Sequence, residues 1–325
     1  VDANDNIIFA DQMHDKIRKL DRQGFITSLA GNGKPGESGD GHPAVDATLF
    51  RPSAMGLDRE NKLYVVVRSG NGWKIRYINQ EGIIFWFAGN SLVGTDGDKG
   101  PAREASFYSI RDIAVDLDGN VLVADVANPF IRKIDKNGII SKVAEKTWGR
   151  LDGDIHPNGL AIDEKGNIYV SDSGSSKIRK IDVMGNVSTI AGNGDFEDSG
   201  DSGPAILAGI RSPGGLAFSH SGELYVAEER THRIRKIDKE GNIQLVAGTG
   251  VAGFSGDGGP AAQAQLNNPR RIAFDSKGNL YLTDRMNNRI RKIDIHGIIT
   301  TVAGIGHKGY LNDGLEVNLI VHNFP

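Results

Sequence analysis

The chain has 325 residues, no cysteine and a formal net charge of −3, which comes from 38 basic and 41 acidic side chains. The absence of cysteine excludes disulfides and thiolate metal sites, and the near-neutral charge argues against general binding to the phosphate backbone of nucleic acids. Glycine, at 43 residues, is about twice as frequent as usual, which indicates many tight turns.

One phrase, Ile-Arg-Lys-Ile-Asp or a close variant, recurs six times along the chain. Its copies begin at Ile17, Ile75, Ile131, Ile178, Ile234 and Ile290. Successive copies are 56 to 58 residues apart, except for 47 residues between the third and the fourth. Self-similarity at a nearly fixed period of this kind is typical of repeat architectures.

Each copy is predicted to form four short strands. In the last copy these are Arg271 to Asp275, Leu280 to Asp284, Arg289 to Asp294 and Ile298 to Ala303. The first turn pairs an acid with a glycine, as at Asp275 and Gly278, which suits a tight hairpin. Four strands per repeat, joined by such turns, indicate the antiparallel blades of a β-propeller.

The third strand breaks simple alternation, because Ile131 and Ile134 are three residues apart and point to opposite faces. Both are covered if neighbouring blades pack on the two faces. The Arg and Lys between them are expected to lay their stems on apolar surface and keep their charges in water. The second strand ends on an acid in five copies, and we expect this acid to cap the next loop. These acids are Asp11, Asp125, Asp172, Glu228 and Asp284.

The two ends of the chain align with parts of a single blade. Val1 to Asn6 aligns with Phe274 to Asn279, and Asn323 to Pro325 aligns with Asn267 to Pro269. Termini that meet in one blade close a ring without an exposed sheet edge. The predicted fold is therefore all-β, a six-bladed β-propeller of four-stranded antiparallel blades that forms one domain over residues 1–325.

The pattern Gly-Asn-Leu-Tyr-Leu-Thr-Asp, followed by Arg-Ile-Arg-Lys-Ile-Asp (Gly278 to Asp294), resembles an NHL repeat. The linking phrase from Ala247 to Ala261 resembles the variant found in bacterial secreted or surface NHL proteins and in teneurin-like chains. The resemblance implies binding of proteins, RNA or glycans, and related six-bladed propellers include metal-dependent lactonases and amidating lyases. It also implies an extracellular, cell-surface or periplasmic protein, as part of a larger multidomain chain.

Long glycine-rich links join the blades and are expected on the same face as the loops between second and third strands. They span residues 31–49, 89–107, 192–210 and 248–266. Their repeated phrase Gly-Asp-Gly-Gly-Pro-Ala is interpreted as a structural turn that packs each link over a blade, since a binding site should use what differs between copies. No apolar run approaches the length of a membrane span.

One link differs, because the 47-residue spacing removes about nine residues between the third and fourth blades. A shortened link predicts a notch in the loop-rich face, where an aromatic and hydrogen-bonding groups would suit a sugar ring or a peptide side chain. The alternative is that the tryptophan fills the space. The candidate ligand-binding residues of this link are Trp148, Arg150, Asp152, Asp154 and His156.

Residues just before the innermost strands are expected to point towards the propeller axis. Arg111, Asn158 and Arg270 occupy this position, and Asp112 and Arg271 follow two of them. Arginines at one mouth suit a carboxylate or phosphate, although they could equally pair with neighbouring acids around a water-filled channel. The large side chains Trp73 and Phe130, in loops after second strands, are expected either to pack or to bind a ligand.

The favoured prediction is a non-catalytic module that binds a protein or glycan on the loop-rich face, without a cofactor and without nucleic acid. The alternative is a calcium- or zinc-dependent enzyme, lactonase-like or lyase-like, with its site in the central channel. Asn158, Asp112 and Asp154 are the residues that could approach a calcium ion. The eight histidines occupy non-equivalent positions, and no nucleophile-elbow or phosphate-loop motif is present.

Overall fold

The computed structural model describes residues 1–126, 130–144 and 156–306. The described part of the chain forms two compact units, residues 2–144 and residues 156–306. Each unit contains three antiparallel sheets, so the predicted fold class is confirmed as an all-β, six-bladed β-propeller. One domain over residues 1–325 stays a prediction.

The first unit contains blades 1 to 3. Their strands are β1 (Ile7–Asp11), β2 (Lys16–Leu20) and β3 (Ile26–Ala30); β4 (Met55–Leu57), β5 (Leu63–Ser69), β6 (Gly72–Ile78) and β7 (Ile84–Ala88); and β8 (Ile110–Val115), β9 (Val121–Asp125), β10 (Arg132–Ile134) and β11 (Ile140–Lys142). Two short 3-10 helices accompany them, Gln12–His14 and Ala102–Glu104. Blade 1 has three strands among the described residues, and the predicted contribution of residues 323–325 lies outside these residues.

The second unit contains blades 4 to 6. Their strands are β12 (Pro157–Ile162), β13 (Ile168–Asp172), β14 (Lys177–Ile181) and β15 (Val187–Ala191); β16 (Gly203–Pro204), β17 (Pro213–Phe218), β18 (Leu224–Glu228), β19 (Arg233–Ile237) and β20 (Asn242–Ala247); and β21 (Pro269–Phe274), β22 (Leu280–Asp284), β23 (Arg289–Ile293) and β24 (Ile299–Ala303). Three 3-10 helices lie in its links and loops, Ala205–Leu207, Ala261–Gln263 and Arg285–Asn287. The predicted strand boundaries of the last copy agree with β21 to β24 to within two residues.

The two ends of each sheet differ in their connections. The loops between second and third strands lie at one end, called here the loop end, and the short turns lie at the other, called the turn end. The predicted turn chemistry is confirmed at Asp275, whose Oδ1 accepts the N–H groups of Lys277 (3.0 Å) and Asn279 (2.8 Å). Gly278 in this turn has a φ of +84°, a conformation that glycine adopts without strain.

The glycine-rich links do not stay at the loop end, which corrects the prediction. Pro101 forms an antiparallel bridge with Ile139, and Ala102 N–H donates to Gly138 O at 2.7 Å. This link therefore runs along the outer edge of β11 as far as the turn end. Pro43 and Pro260 make the same bridge to Ile83 and Ile298. The repeated phrase covers an outer sheet edge, in agreement with its interpretation as a structural turn.

The arginine of the repeated phrase is buried, so the prediction that its charge stays in water is wrong. The side chains concerned are those of Arg18, Arg76, Arg132, Arg179, Arg235 and Arg291. In blade 5, Arg235 donates from Nε to Asp201 Oδ1 (2.9 Å) and from Nη1 and Nη2 to the carbonyls of Gly209 (2.8 Å) and Ser199 (2.9 Å). The preceding link thus surrounds the guanidinium with acceptors, which offsets the cost of removing the charge from water.

The cores of the blades agree with the sequence prediction. Ile131 and Ile134 are both fully buried, so both faces of that strand are covered. The acid that ends the second strand caps the next loop as predicted. In blade 6, Asp284 accepts from Asn287 Nδ2 (2.8 Å) and from the N–H of Asn267 (2.7 Å). Among the described residues, no helix is long and apolar enough to cross a bilayer.

Candidate functional site

The predicted notch is described only at one end. Trp148, Arg150, Asp152 and Asp154 lie outside the described residues. His156 is exposed just before β12, where its N–H donates to Asp172 Oδ1 at 3.1 Å and its carbonyl accepts the N–H of Ser173 at 3.1 Å. The backbone of His156 therefore ties the start of β12 to the end of β13, and a ligand-binding role for this link stays a prediction.

The two large aromatic side chains predicted to pack or bind both have neighbours. Trp73 lies in β6 and not in a loop, which corrects the prediction. It is half-buried, its Nε1 donates to Tyr108 O at 2.9 Å, and the Arg68 guanidinium lies 5.1 Å from its ring centre. Phe130 is also half-buried, with the Lys142 ammonium 5.0 Å from its ring centre. These contacts favour the packing alternative, and ligand binding by either residue stays a prediction.

Three first strands of the second unit, β12, β17 and β21, approach one another unusually closely at the loop end. A Cβ atom on Gly159 would lie 2.2 Å from Gly214 O, and one on Gly215 would lie 2.6 Å from Arg270 O. Because real Cβ atoms do not come so close to another atom, only glycine fits at these two positions. The Ser171 hydroxyl joins the layer, since it donates to Gly214 O and accepts from Gly159 N–H, both at 2.7 Å.

This close packing brings together four polar residues from three blades, called here the inner cluster: Asn158, Glu229, Arg270 and Arg271. Asn158 Nδ2 donates to Glu229 Oε1 at 3.1 Å, and Arg270 Nε lies 3.6 Å from the same oxygen. Arg271 Nη1 donates to Asn158 O at 3.4 Å. The structure thus places the predicted residues Asn158 and Arg270 on a common carboxylate.

The inner cluster combines two guanidinium groups with one carboxylate and one amide. The side chain of Arg270 is 27% exposed and that of Glu229 is 18% exposed, so both reach solvent. Guanidinium groups bind carboxylates and phosphates through paired N–H groups, and amide and carboxylate oxygens accept from hydroxyls. The cluster is therefore suited to a ligand that carries an acidic group beside hydroxyl or amide groups.

Arg111, the third predicted arginine, lies in the first unit. It is exposed in β8, and Asp112 beside it is buried. A mouth shared by Arg111 and Arg270 stays a prediction. The alternative prediction, that these arginines pair with neighbouring acids, agrees with the contact between Arg270 and Glu229.

A calcium site formed by the three predicted ligands stays a prediction. Asn158 and Asp112 belong to different units, and Asp154 lies outside the described residues. Within residues 1–126, 130–144 and 156–306, no group of three or more histidine, aspartate or glutamate side chains is placed to hold a metal ion. These residues do not provide the set of ligands that a calcium or zinc site needs, so we derive no metal-dependent step from them.

Glu229 was not among the predicted site residues, although the sequence contains a signal for it. It follows Glu228, the acid that ends the second strand of blade 5. The corresponding residues of the other copies with such an acid are Gln12, Val126, Ser173 and Arg285, so blade 5 alone has a second acid there. The residue at which blade 5 departs from the repeat is therefore the one that both Asn158 and Arg270 contact.

Comparison with protein families gives two matches along the chain. Residues 1–249 match the family model of the SMP-30/gluconolactonase/LRE-like region, and residues 250–312 match that of the teneurin NHL domain. The second match confirms the predicted resemblance to teneurin-like NHL repeats. Teneurin-4 of Homo sapiens is 35% identical over 271 residues, which cover 78% of this chain and 8% of Teneurin-4.

Two solved structures are similar in fold. An auxiliary nutrient binding protein from Bacteroides ovatus has a TM-score of 0.65 at 15% identity, over 92% of this chain and 66% of that chain. A streptogramin B lyase has a TM-score of 0.52 at 17% identity, over 77% of this chain and 67% of that chain. At these identities the likenesses show the fold alone.

Proposed function

We propose that this chain recognises a protein or glycan ligand at the loop ends of its blades and does not catalyse a reaction. The chain belongs to the SMP-30/gluconolactonase/LRE-like family. The observation that carries this proposal is the inner cluster. Its four side chains come from three successive blades and are held in place by strands that pack through glycine, so the cluster is ordered before a ligand arrives.

The residues of the inner cluster also support binding because they differ between repeats. The position of Arg270 is taken by Arg111 in blade 3, by Asn158 in blade 4 and by Gly214 in blade 5. Structural residues of this chain, such as the buried arginines, recur from blade to blade instead. A surface that varies on a repeated scaffold is where specificity for a ligand is expected.

The chemistry of the cluster favours a ligand with a carboxylate. Arg270 and Arg271 provide the guanidinium groups, and Glu229 and Asn158 provide partners for nearby hydroxyl or amide groups. Acidic side chains of a protein and acidic sugars of a glycan both present these groups. The near-neutral charge of the chain supports neither DNA nor RNA as the partner.

A screen with matched variants tests the proposal. The chain is tested against a glycan array and an acidic-peptide library, beside a double variant Arg270→Ala with Arg271→Ala and a control variant Arg285→Ala. Arg285 is an exposed arginine of the same blade, outside the inner cluster. We expect ligands that bind the wild type and the control alike and lose at least about tenfold in affinity for the double variant. The proposal would be overturned if no ligand in either set lost affinity for the double variant.

A second candidate function, a metal-dependent lactonase or lyase, is supported by the family membership. It requires residues beyond those described here, because the described residues contain no suitable group of metal ligands. Calorimetric titration with CaCl2 and with ZnCl2 tests it. Binding of one ion per chain at micromolar concentration would support the enzyme, whereas no heat up to about 1 mM would reject it.

The chain spans 8% of Teneurin-4, and we propose that it is likewise one part of a larger multidomain protein. An extracellular, cell-surface or periplasmic location is proposed on the same resemblance. Expression of the full-length gene product with a C-terminal tag, followed by fractionation of cells and medium, tests both.

A further inference from the structure

A cleft of about 690 Å³ lies between blades 2 and 3 at the turn end, within the first unit. It is called here the aromatic cleft, and the residues that matter for its chemistry are Lys62, Tyr64, Tyr77, Trp86, Phe87 and Arg103. The inner cluster belongs to the other unit and lies at the loop end of its blades. The volume of the aromatic cleft is within the range of sites that hold small molecules or a few sugar units.

The aromatic residues of this cleft are a departure of blade 2 from the repeat. The cross-strand neighbour of Tyr64 is Tyr77, whereas the equivalent tyrosines Tyr169 and Tyr225 face Lys180 and Lys236. The fourth strand of blade 2 reads Phe-Trp-Phe at residues 85–87, where blade 4 has Ser-Thr-Ile and blade 6 has Thr-Thr-Val. Blade 2 therefore carries an aromatic cluster that the packing of the repeat does not require.

Blade 3 departs from the repeat at the end of its first strand. Tyr169 packs edge-on against Phe218, with ring centres 4.9 Å apart, and Tyr225 packs in the same way against Phe274. Each phenylalanine ends the first strand of the next blade, whereas the first strand of blade 3, which follows the blade of Tyr64, ends on Val115. Tyr64 packs instead against Phe87 of its own blade, at 5.0 Å.

The hydroxyl of Tyr64 lines the cleft, although the residue as a whole is buried. Asp58 and Asp163 both accept the N–H groups of their own turns, and Asp163 also accepts the hydroxyl of Tyr169 at 3.2 Å. Across the described ranges of the chain, the Tyr64 hydroxyl makes no hydrogen bond. Burial, followed by the charge of Asp58, raises the pKa of Tyr64 to about 12, so this hydroxyl remains protonated and able to donate.

The two cations closest to the aromatic rings have no acidic partner among the described residues. The Lys62 ammonium lies 5.0 Å from the ring centre of Tyr77, and the Arg103 guanidinium lies 5.0 Å from that of Trp86. Arg103 also donates to the carbonyl of Trp86 at 2.8 Å. Asp116 and Asp135, acids at the edge of the cleft, accept N–H groups of their own turns. The lining of the cleft also includes the acids Asp58, Glu60 and Asp118 and the bases Arg59 and Lys136, so its charge is mixed. Lys62 and Arg103 are the cations beside its rings with which an anionic group of a ligand would pair.

We propose that the aromatic cleft binds an acidic saccharide, an oligosaccharide of hexuronic acid units whose sugar faces lie on the aromatic rings and whose carboxylates pair with Lys62 and Arg103. Aromatic rings cover the apolar C–H faces of a sugar, and the Tyr64 and Tyr77 hydroxyls reach its hydroxyl groups. The carboxylates supply the ion-pair partner that these two cations lack among the described residues. This site is separate from the inner cluster, so either can fail without the other.

The test uses trigalacturonic acid as the probe, in isothermal titration calorimetry with the complete chain. We expect a dissociation constant below about 1 mM, and weakening by about tenfold or more in Lys62→Ala and in Val115→Phe. Val115→Phe introduces the side chain that blades 5 and 6 carry, which in those blades packs against the tyrosine equivalent to Tyr64. Lys180→Ala removes a lysine that lies 5.7 Å from the Tyr169 ring in blade 4, and this control should bind like the wild type.

Two further ligands identify the chemistry that is recognised. The carboxyl-reduced trisaccharide, which is neutral, should bind at least about tenfold more weakly than trigalacturonic acid. A hexaglutamate peptide should also bind more weakly, because it lacks sugar faces. Equal affinity for either ligand, unchanged affinity of Lys62→Ala, or no binding of trigalacturonic acid up to about 10 mM would overturn the proposal. Circular dichroism and thermal unfolding verify that each variant is folded.

Discussion

Arg235 and Asp201 form a charge-assisted hydrogen bond of 2.9 Å although 34 residues separate them in the sequence. The same pairing joins Arg132 to Asp98 and Arg291 to Asp257, again 34 residues apart. Each pair fixes a link on the third strand of the blade that follows. The buried guanidinium is thus the point at which the chain between two blades is attached to the second of them.

Replacing the acid of this pair should destabilise the protein. We expect Asp201→Ala to lower the free energy of unfolding by about 1–3 kcal/mol, because Arg235 is fully buried and loses one charged acceptor while Glu228 remains at 3.3 Å. Urea unfolding followed by circular dichroism measures the change. The control is Asp118→Ala, an exposed turn position that should change stability by no more than about 0.5 kcal/mol. Equal effects of the two substitutions would contradict the role of the pair.

The corresponding arginine of blade 4 should matter less. Arg179 is buried too, but its contacts among the described residues are to Asp172, Thr189 and Ser175 of its own blade, and its Nε makes no hydrogen bond to any of these residues. We expect Arg179→Met to lower the free energy of unfolding by about 1–2 kcal/mol less than Arg235→Met does. The reason is that Arg235→Met leaves the carbonyls of Ser199 and Gly209 without their donor. Denaturant unfolding of both variants gives the comparison. A larger loss for Arg179→Met would show that the link is not what the buried arginine stabilises.

The close approach of β12 and β17 predicts that Gly159 does not tolerate a side chain. A Cβ atom there would lie 2.2 Å from Gly214 O, so Gly159→Ala must push the two strands apart. We expect a loss of about 1–3 kcal/mol in unfolding free energy, the usual cost of overpacking. Gly259→Ala is the matched control, since a Cβ there would meet its nearest atom at an ordinary 3.4 Å. A tolerated Gly159→Ala would argue against the packing that orders the inner cluster.

Stability should depend on pH through Glu228. Burial raises the pKa of Glu228 from 4.5 to about 7, although the nearby Arg235 lowers it. Because the folded-state pKa is the higher one, the stabilisation from this group is complete below about pH 4.5 and is lost as the pH rises through about 7. We expect Glu228→Gln to have a flatter profile of unfolding free energy than the wild type between these pH values. Glu240→Gln, at an exposed position, should follow the wild-type profile. Parallel profiles for wild type and Glu228→Gln would refute the assignment.

The repeat made the blades predictable. Ile131 and Ile134 alone indicated a strand covered on both faces, and Asp275 with Gly278 indicated its turn chemistry, because these features depend on residues close in sequence. The burial of Arg235 was predicted wrongly, since an isolated arginine on a strand normally keeps its charge in water. Its partner Asp201 is distant, but the constant separation of 34 residues in three repeats is a signal that comparison of the copies could have found.

In the candidate sites, too, contacts between residues distant in sequence could not be predicted. Arg270 and Asn158 were predicted from their place before the innermost strands, whereas their shared contact with Glu229 depends on how closely β12, β17 and β21 pack. The aromatic cleft depends on Tyr77 and Trp86 of blade 2 lying beside Arg103 and the turns of blade 3. Comparison of the copies reveals that blade 2 deviates at its aromatic positions, but only the packing of neighbouring blades shows that these residues line a common cleft.

The most direct test of the binding function is the structure of the chain in complex with the tightest ligand from the screens that loses affinity for the Arg270→Ala, Arg271→Ala double variant. We expect an unmodified ligand with a carboxylate within hydrogen-bonding distance of the guanidinium of Arg270 or Arg271. Such a ligand seated away from the inner cluster, or converted to a product during the experiment, would contradict the binding function proposed for this site.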